Sequence, residues 1–539
     1  MDALGLWNIA ASSPTRPAVV DPSGRTLDYG SLAAAADRYG RGLRAQGLRA
    51  GDAVVLLLPN CAELLAVHFA ALQTGLYIVA VNWHLVGPEV AYILKDSGAK
   101  AFFAHERFAS VAAEAADEAG LPPEARFAVS EAGELASGAA GATGASAGAG
   151  ASAGAAASGA AIPGFRPLAS LGADEPAGRP DGRTMGGPML YTSGTTGRPK
   201  GVRRPLTGAD PDDVPGTAIW FFGIFGLAPH DGHVHLCGSP LYHTAVLNFV
   251  TISIQLGHPA VLMDRWDPAA MLQLVERHRV THSHLVPTQF SRLLALPEDK
   301  RTRYDLSSMR AMIHGAAPCP REVKRRMLDW WGPVVIEYYA ATEGGGTTIM
   351  ADEWLRKEGS VGRPWPGSVV KILDDSGNEL PAGEPGLVYL RMGTSSFEYH
   401  GDKEKTRKAR VGDLFTLGDV GHLDEDGYLF LHDRKADMII TGGVNVYPAE
   451  IEGELAAHPK VADVAVFGIP HPEWGEEIKA VVQPADGIEP DEALTEELLA
   501  YARTRLAKFK LPRTIDYRPQ LPRDPNGKLY KRHLRTQYL

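Results

Sequence analysis

Residues 191–202 read Tyr-Thr-Ser-Gly-Thr-Thr-Gly-Arg-Pro-Lys-Gly-Val, a run whose side-chain types and spacing suit it to gripping a polyanion. Gly194 and Gly197 let backbone N–H groups approach phosphate oxygens with no Cβ in the way. Ser193, Thr195 and Thr196 add hydroxyls, Lys200 adds a positive charge, and Thr192 leads into the same candidate loop. The Walker pattern G-x-x-x-x-G-K-[ST] is not met, because the glycine-to-lysine spacing differs and Gly201 follows the lysine. Ser, Thr, Gly and Pro are also ordinary turn residues, so a plain surface loop is the competing reading of the bare pattern.

Three further groups of residues have the chemistry to complete such a site. Tyr338 to Glu343 follows an apolar stretch and ends in a hydroxyl beside a carboxylate. At the C-terminal end of a strand, Glu343 could hold Mg²⁺ against phosphates while Thr342 bonds a phosphate oxygen; as a bare pattern, a Thr-Glu pair followed by glycines is more often a helix cap. Asp419, in Thr416-Leu417-Gly418-Asp419, offers a carboxylate able to accept from both hydroxyls of a ribose. Arg434 brings a planar fork suited to ribose or phosphate oxygens, although an ordinary surface salt bridge would explain either residue. Near the C-terminus, Pro522 to Lys528 reads Pro-Arg-Asp-Pro-Asn-Gly-Lys, and the Asn-Gly turn would present Lys528 at a hairpin tip. A flexible ammonium there can reach both a carboxylate oxygen and an α-phosphate, while a solvated surface lysine is the bland alternative.

These residues need a scaffold, and the rest of the chain describes one. A length of 539 residues exceeds a single hydrophobic core. Leu32, Ala36, Tyr39 and Leu43 repeat at helical spacing over 27–46, with Gly47 as a stop and an apolar strand at 54–58. Helix and strand patterns go on alternating through 64–75, 77–81, 90–97 and 101–103, and again from 269 to 314, which predicts an α/β fold with mainly parallel sheets. Residues 136–164 interrupt this rhythm with a nearly pure Ala/Gly/Ser tract that has little to bury and is expected to be a disordered insertion. Character changes near Asp433, so we expect a large domain over 1–432 and a small mobile α+β domain over 433–539.

Composition narrows the class. With 45% hydrophobic and 22% charged residues the chain has the balance of a globular enzyme, and its net charge of −10 argues against nucleic acid as the main partner, since a phosphate backbone needs a basic face. Cys61, Cys237 and Cys319 show no C-x-x-C spacing, which argues against a disulfide framework or zinc site and fits a reducing compartment. The N-terminus lacks the pattern of a secretory signal, and the most apolar window, 218–228, covers only about half a bilayer span. A cytoplasmic protein without a transmembrane segment, monomer or homodimer, is the expectation.

The phosphate-loop string and the C-terminal Pro-Arg-x-Pro-x-Gly-Lys string together resemble the adenylate-forming superfamily, which holds acyl-CoA synthetases, peptide-synthetase adenylation domains and luciferases. Their separation of about 330 residues is the family's, so the resemblance spans essentially the whole chain apart from the Ala/Gly tract. It implies an acyl-CoA-synthetase-like fold and an ATP-, Mg²⁺- and coenzyme A-dependent ligase that makes an acyl-AMP and then an acyl-CoA. It makes Glu343 the metal ligand, places Tyr339 near adenine, and makes Gly315, Ala316 and Ala317 a small-residue slot against adenine and the acyl group. His243 would stand beside the reacting carboxylate, and Gly442 and Gly443 would line the passage for the CoA arm. Two departures stand out: Ala340 replaces the family's usual glycine, and Ala436 occupies the hinge position where relatives carry an acidic residue or lysine. Phe221, Phe222, Asn248, Phe249, Ala340, Ala341 and Gly345 are candidate pocket residues, and their apolar balance points to a fatty or other bulky hydrophobic acid. A stand-alone acyl-AMP ligase, a luciferase-like enzyme and a non-catalytic nucleotide-binding relative are the alternatives. The absence of a carrier domain after Leu539 argues against a peptide-synthetase module.

Overall fold

The computed structural model describes residues 3–131, 133, 135, 162–192, 200–214, 216–340, 344–393, 398–399, 404, 407, 409–441, 444–523 and 529–539. Two compact units make up the chain: Met1–Asp267 with Leu274–Ser283 and Ser396–Lys403, and Pro268–Gln273 with His284–Ser395 and Glu404–Leu539.

In the first unit the helix Tyr29–Ala45 shows how local chemistry sets an element's limits. The Asp28 carboxylate accepts from the Ser31 N–H at 2.8 Å, Arg44 faces the C-terminal end of the dipole, and Gly47 takes a φ of 88° to close the helix. Its stripe of Leu32, Ala36, Tyr39 and Leu43 is fully buried. Parallel strands Ala53–Leu57, Tyr77–Ala80, Ala99–His105 and Arg126–Val129 form the middle of an eight-stranded sheet. Every residue of Ala53–Leu57 is buried, as in a sheet covered on both faces. Gly187–Thr192 joins this sheet in parallel with Tyr77–Ala80, then turns back antiparallel as Lys200–Arg203, with Thr192 opposite Lys200. The candidate phosphate loop therefore springs from the end of a hairpin rooted in the sheet. A second set in this unit places His235–Cys237 in parallel with Ala260–Leu262, which is in turn parallel to Pro17–Val20. Of the expected insertion, 136–161 lies outside the described residues, whereas Ile162 at its end is fully buried in the core beside Phe165.

The second unit starts from Ala311–His314 and Val335–Ala340, a parallel pair. Beyond them the pairing is antiparallel, through Gly346–Ile349, Ser360–Pro364, Leu429–Arg434, Leu414–Leu423, Gly386–Met392 and Ser368–Leu373. The turn between Leu414–Leu423 and Leu429–Arg434 is built by Asp424, whose Oδ1 accepts from the Asp426 and Tyr428 N–H groups, with Gly427 at a φ of 78°. A small C-terminal domain contributes a separate five-stranded sheet containing Ile439–Thr441, Val444–Val446, Val461–His471, Gly475–Pro484 and Thr514–Tyr517. The helices Pro448–Ala456 and Glu492–Arg503 bury Ile451, Leu455, Leu494 and Leu498 against that sheet's Ile439, Val466 and Ile478. Among the described residues, no helix is long and apolar enough to cross a membrane.

Candidate active site

Several of the predicted residues that are described lie on paired strands or just beyond a strand's end, where ligands of open α/β sheets bind. Val335–Ala340 carries Tyr339, whose hydroxyl donates to Asp419 Oδ2 at 2.6 Å. Asp419 and Arg434 face one another across the antiparallel pair Leu414–Leu423 and Leu429–Arg434, and the Arg434 Nε stands 3.4 Å from Asp419 Oδ1. Three residues chosen from the sequence as nucleotide contacts are thus joined through one carboxylate. The Asp419 side chain is 13% exposed and that of Arg434 46%, so the carboxylate is sheltered yet open on one side.

At the neighbouring strand end, Gly315 follows Ala311–His314. A Cβ at Gly315 would fall 2.8 Å from the Tyr338 carbonyl oxygen and 2.9 Å from that residue's ring, so only glycine fits. Ala316 next to it has a φ of 67°. A left-handed conformation at a residue with a Cβ costs about 1–3 kcal/mol and is kept where the surroundings over-determine it, as at ligand sites. Ala316 is exposed, Ala317 half-buried and Gly315 buried, so the slot is a surface step over a packed floor. Ala340 is half-buried opposite Gly346, and the buried Gly345 has a φ of 80° with Ser368 and Arg391 close behind it.

Under this floor lies a charged arrangement that sequence reading missed. Lys324, fully buried on the helix Arg321–Trp331, donates to Glu337 Oε2 at 2.5 Å, and its ammonium sits 4.9 Å from the Trp354 ring centre. His314 Nε2 is 3.8 Å from the same carboxylate. Burial, with Lys324 adding to it, holds His314 well below the usual histidine range and hence neutral. The available signal was a lysine on the apolar face of an amphipathic helix, which demands a buried counter-charge.

In the first unit, the root of the candidate phosphate loop is clamped. A Cβ at Gly201 would meet Met189 at 2.5 Å and the Tyr191 ring at 3.3 Å, and the Tyr191 hydroxyl donates to Asp96 at 2.6 Å. His243 is the N-cap residue of Thr244–Gln255, half-buried, with its ring 4.2 Å from that of Tyr242. Phe221, Phe222 and Phe249 come together with ring centres 5.4–6.2 Å apart. Phe225 joins them, one helical turn on from Phe221 and 5.2 Å from its ring, a spacing the sequence already contained. Phe222 and Phe249 are fully buried, Phe221 half-buried, and Asn248 is exposed on its helix, apart from the phenylalanine cluster. Ser193, Gly194, Thr195, Thr196, Gly197, Ala341, Thr342, Glu343, Gly442, Gly443 and Lys528 lie outside the described residues, as does the side chain of Lys200. A bridge between Arg523 and Leu529 pairs the two ends of the segment holding Lys528 in antiparallel fashion.

Comparison with known proteins decides what this arrangement belongs to: residues 6–398 match the family model described as AMP-binding enzyme. The chain belongs to the AMP-binding enzyme family. Residues 450–528 match the AMP-binding enzyme C-terminal domain. A feruloyl-CoA synthase of Amycolatopsis sp is 35% identical over 541 residues, covering 99% of each chain. The long-chain-fatty-acid–CoA ligase FadD13 of Mycobacterium tuberculosis is 34% identical over 535 residues, covering 98% of this chain and 97% of its own. Among solved structures, the o-succinylbenzoate CoA synthetase MenE from Bacillus subtilis, in complex with the acyl-adenylate intermediate OSB-AMP, superposes with a TM-score of 0.76 at 26% identity over 98% of this chain and 97% of its own. This AMP-binding enzyme is an acid–thiol ligase, an AMP-forming acyl-CoA synthetase, whose substrates are a carboxylic acid, ATP and CoA.

Proposed function

We propose that the enzyme activates a bulky hydrophobic carboxylic acid, fatty or aromatic, in two half-reactions. In the first, a carboxylate oxygen attacks the α-phosphorus of ATP, forming the acyl-adenylate and expelling pyrophosphate. In the second, the CoA thiolate sulfur attacks the acyl carbon and AMP leaves. The obstacle in the first step is repulsion between two anions, so most of the catalysis lies in charge placement and alignment. Backbone and hydroxyl donors of 192–197, with Lys200, grip the phosphates; Asp419 accepts from the ribose hydroxyls, Arg434 adds a second contact, and Tyr339 with the Gly315–Ala316–Ala317 step receives the adenine. Lys528 brings its ammonium to the carboxylate and α-phosphate, and His243 stands by the carboxylate. Mg²⁺ suits Glu343, since it takes one or two carboxylates together with substrate phosphates, and when bound it offsets phosphate charge. Thr342 bonds a phosphate oxygen beside it. For the second step, residues 433–539 rotate as a domain near Ala436, withdrawing Lys528 and presenting Gly442 and Gly443 to the CoA arm.

The observation that carries this reading is the Tyr339–Asp419–Arg434 junction, a sheltered carboxylate pinned on two sides, with Tyr339 on the strand paired to the one that leads into the left-handed Ala316. A hydrophobic acid is supported by the phenylalanine cluster and by relatives whose names specify feruloyl and long-chain fatty acyl groups. The test is a panel of aromatic, fatty and small charged acids in acid-dependent ATP–pyrophosphate exchange, followed by thioester formation with CoA. Exchange with hydrophobic acids and CoA-dependent thioester release are expected. Exchange with small charged acids alone would refute the substrate class, exchange without thioester release would make this a stand-alone acyl-AMP ligase, and no exchange with any acid would leave a nucleotide-binding relative.

A further inference from the structure

Four aromatic rings line up where the large domain's last strand pair gives way to the C-terminal segment. His422 lies directly across from Phe430 in the antiparallel pair, and their rings stack at 5.0 Å with planes 9° apart. His432, two residues beyond Phe430 on the same face, stacks on His422 at 5.0 Å and 22°, and His422 Nδ1 meets His432 Nε2 at 2.9 Å. Tyr447 then stacks on His432 at 5.1 Å and 24°. Burial pushes both histidines below their ordinary value, and His422 lowers His432 further, so the rings stack as neutral species at pH 7 with one imidazole donating to the other.

The column joins residues on either side of the expected hinge. Tyr447 is the N-cap residue of the helix Pro448–Ala456 and has no side-chain capping bond of its own. Asp433, the residue after His432, supplies that cap instead: its Oδ2 accepts from the Ala449 N–H at 2.8 Å, placing a carboxylate at a helix N-terminus. Residues 432 and 433, just ahead of the expected hinge at Ala436, therefore grip residues 447 and 449 just beyond the hairpin Ile439–Val446. Between the two grips, Arg434, Lys435 and Ala436 are exposed. A domain turning about 434–436 must part Tyr447 from His432 and Ala449 from Asp433.

We propose that the Phe430–His422–His432–Tyr447 column and the Asp433–Ala449 bond form a latch that holds the C-terminal segment in one arrangement, making Tyr447 and Asp433 positioning residues for the partition between the two half-reactions. This rests on the two-step reading above, so its test includes a readout independent of catalysis. One ring contact, His432–Tyr447, and one charged cap cross the turning point, and together they are worth enough to shift a two-state balance by about tenfold. In Tyr447→Ala, trypsin should cut after Arg434 and Lys435 about tenfold faster than in the wild-type enzyme, and the ratio of pyrophosphate exchange to thioester formation from supplied acyl-AMP should change about tenfold. Tyr447→Phe, which keeps the stack, should match the wild type in both, and Asp433→Asn should fall between. Unchanged cleavage in Tyr447→Ala overturns the latch, and faster cleavage with equal loss in both half-reactions overturns its role in partition. If the wild-type enzyme performs neither half-reaction, the functional reading fails and the cleavage contrast alone decides whether the latch exists.

Discussion

Replacing Asp419 by Asn tests the assigned ribose contact with little risk to the fold. Asparagine has the same shape and keeps an oxygen to accept from the Tyr339 hydroxyl, which now sits 2.6 Å from the carboxylate. The lost pair with Arg434, 3.4 Å long and 46% exposed on the arginine side, contributes little to stability because solvent screens it. What the substitution removes is charge at the acceptor for two ribose hydroxyls. A hydrogen bond to a charged group contributes about 1.5–3 kcal/mol and a neutral one about 0.5–1.5, so each ribose bond weakens by about 1–1.5 kcal/mol. Two such bonds make about 2–3 kcal/mol, or a roughly 30- to 150-fold fall in kcat/KM for ATP in pyrophosphate exchange. The discriminating measurement repeats the assay with 2′,3′-dideoxy-ATP, which offers no hydroxyls to lose. Asp419→Asn should cost that analogue less than about fivefold, because the interaction is already gone. Equal losses with ATP and the dideoxy analogue would show that Asp419 acts through structure alone, and the ribose role would fall.

Further tests address the supports around the site. Lys324→Met leaves Glu337 as an unpaired buried carboxylate and should cost about 3–5 kcal/mol in urea unfolding, while adding Glu337→Gln should recover more than half of it; additive losses in the double variant would refute the pair. His68 is fully buried with its Nε2 3.1 Å from the Thr251 hydroxyl, and burial pushes it down to about 4 from 6.5. The unfolded chain thus takes the proton first, so this contribution to stability is present above about pH 6.5 and is lost as pH falls toward 4, by about 2 kcal/mol at pH 5. His68→Gln keeps a partner for Thr251 and removes the titration; its stability should drop about 2 kcal/mol less than the wild type between pH 7 and 5, and parallel curves would count against the burial effect. Phe221→Ala, at the half-buried edge of the phenylalanine cluster, should shift the preference among hydrophobic acids toward bulkier ones by about tenfold in kcat/KM, which a competition assay between a long and a short acid would read; an unchanged ratio would remove Phe221 from the acyl pocket.

Local signals carried a large part of this protein. The helix Tyr29–Ala45 was legible because its cap, stripe and stop all lie within twenty residues, and the strand after it because continuous apolar character marks a sheet buried on both faces. The candidate phosphate loop was nominated from its own residues, since glycines and hydroxyls at that density have few other uses, whereas the return strand Lys200–Arg203 came from the structure. The antiparallel run from Gly346–Ile349 to Ser368–Leu373 was harder to see, because its strands vary in length and burial and their partners are set by pairing rather than by period.

Residue chemistry along the chain was enough to nominate Asp419 and Arg434, and the family resemblance to nominate Tyr339, one at a time. Only the tertiary structure could join them: eighty residues separate Tyr339 from Asp419, and that distance is closed by strand pairings whose register no single segment encodes. The same holds for Lys324 and Glu337, and for the ring column that ends at Tyr447, where burial and stacking depend on which faces meet. Neighbouring Asn248 and Phe249 make the point most simply, since helix geometry turns one out to solvent and the other into the core, and only packing decides which. Sequence alone determines which groups can do the chemistry, because that is a property of each side chain. The fold decides which of them meet, because meeting depends on long-range contacts among the whole set.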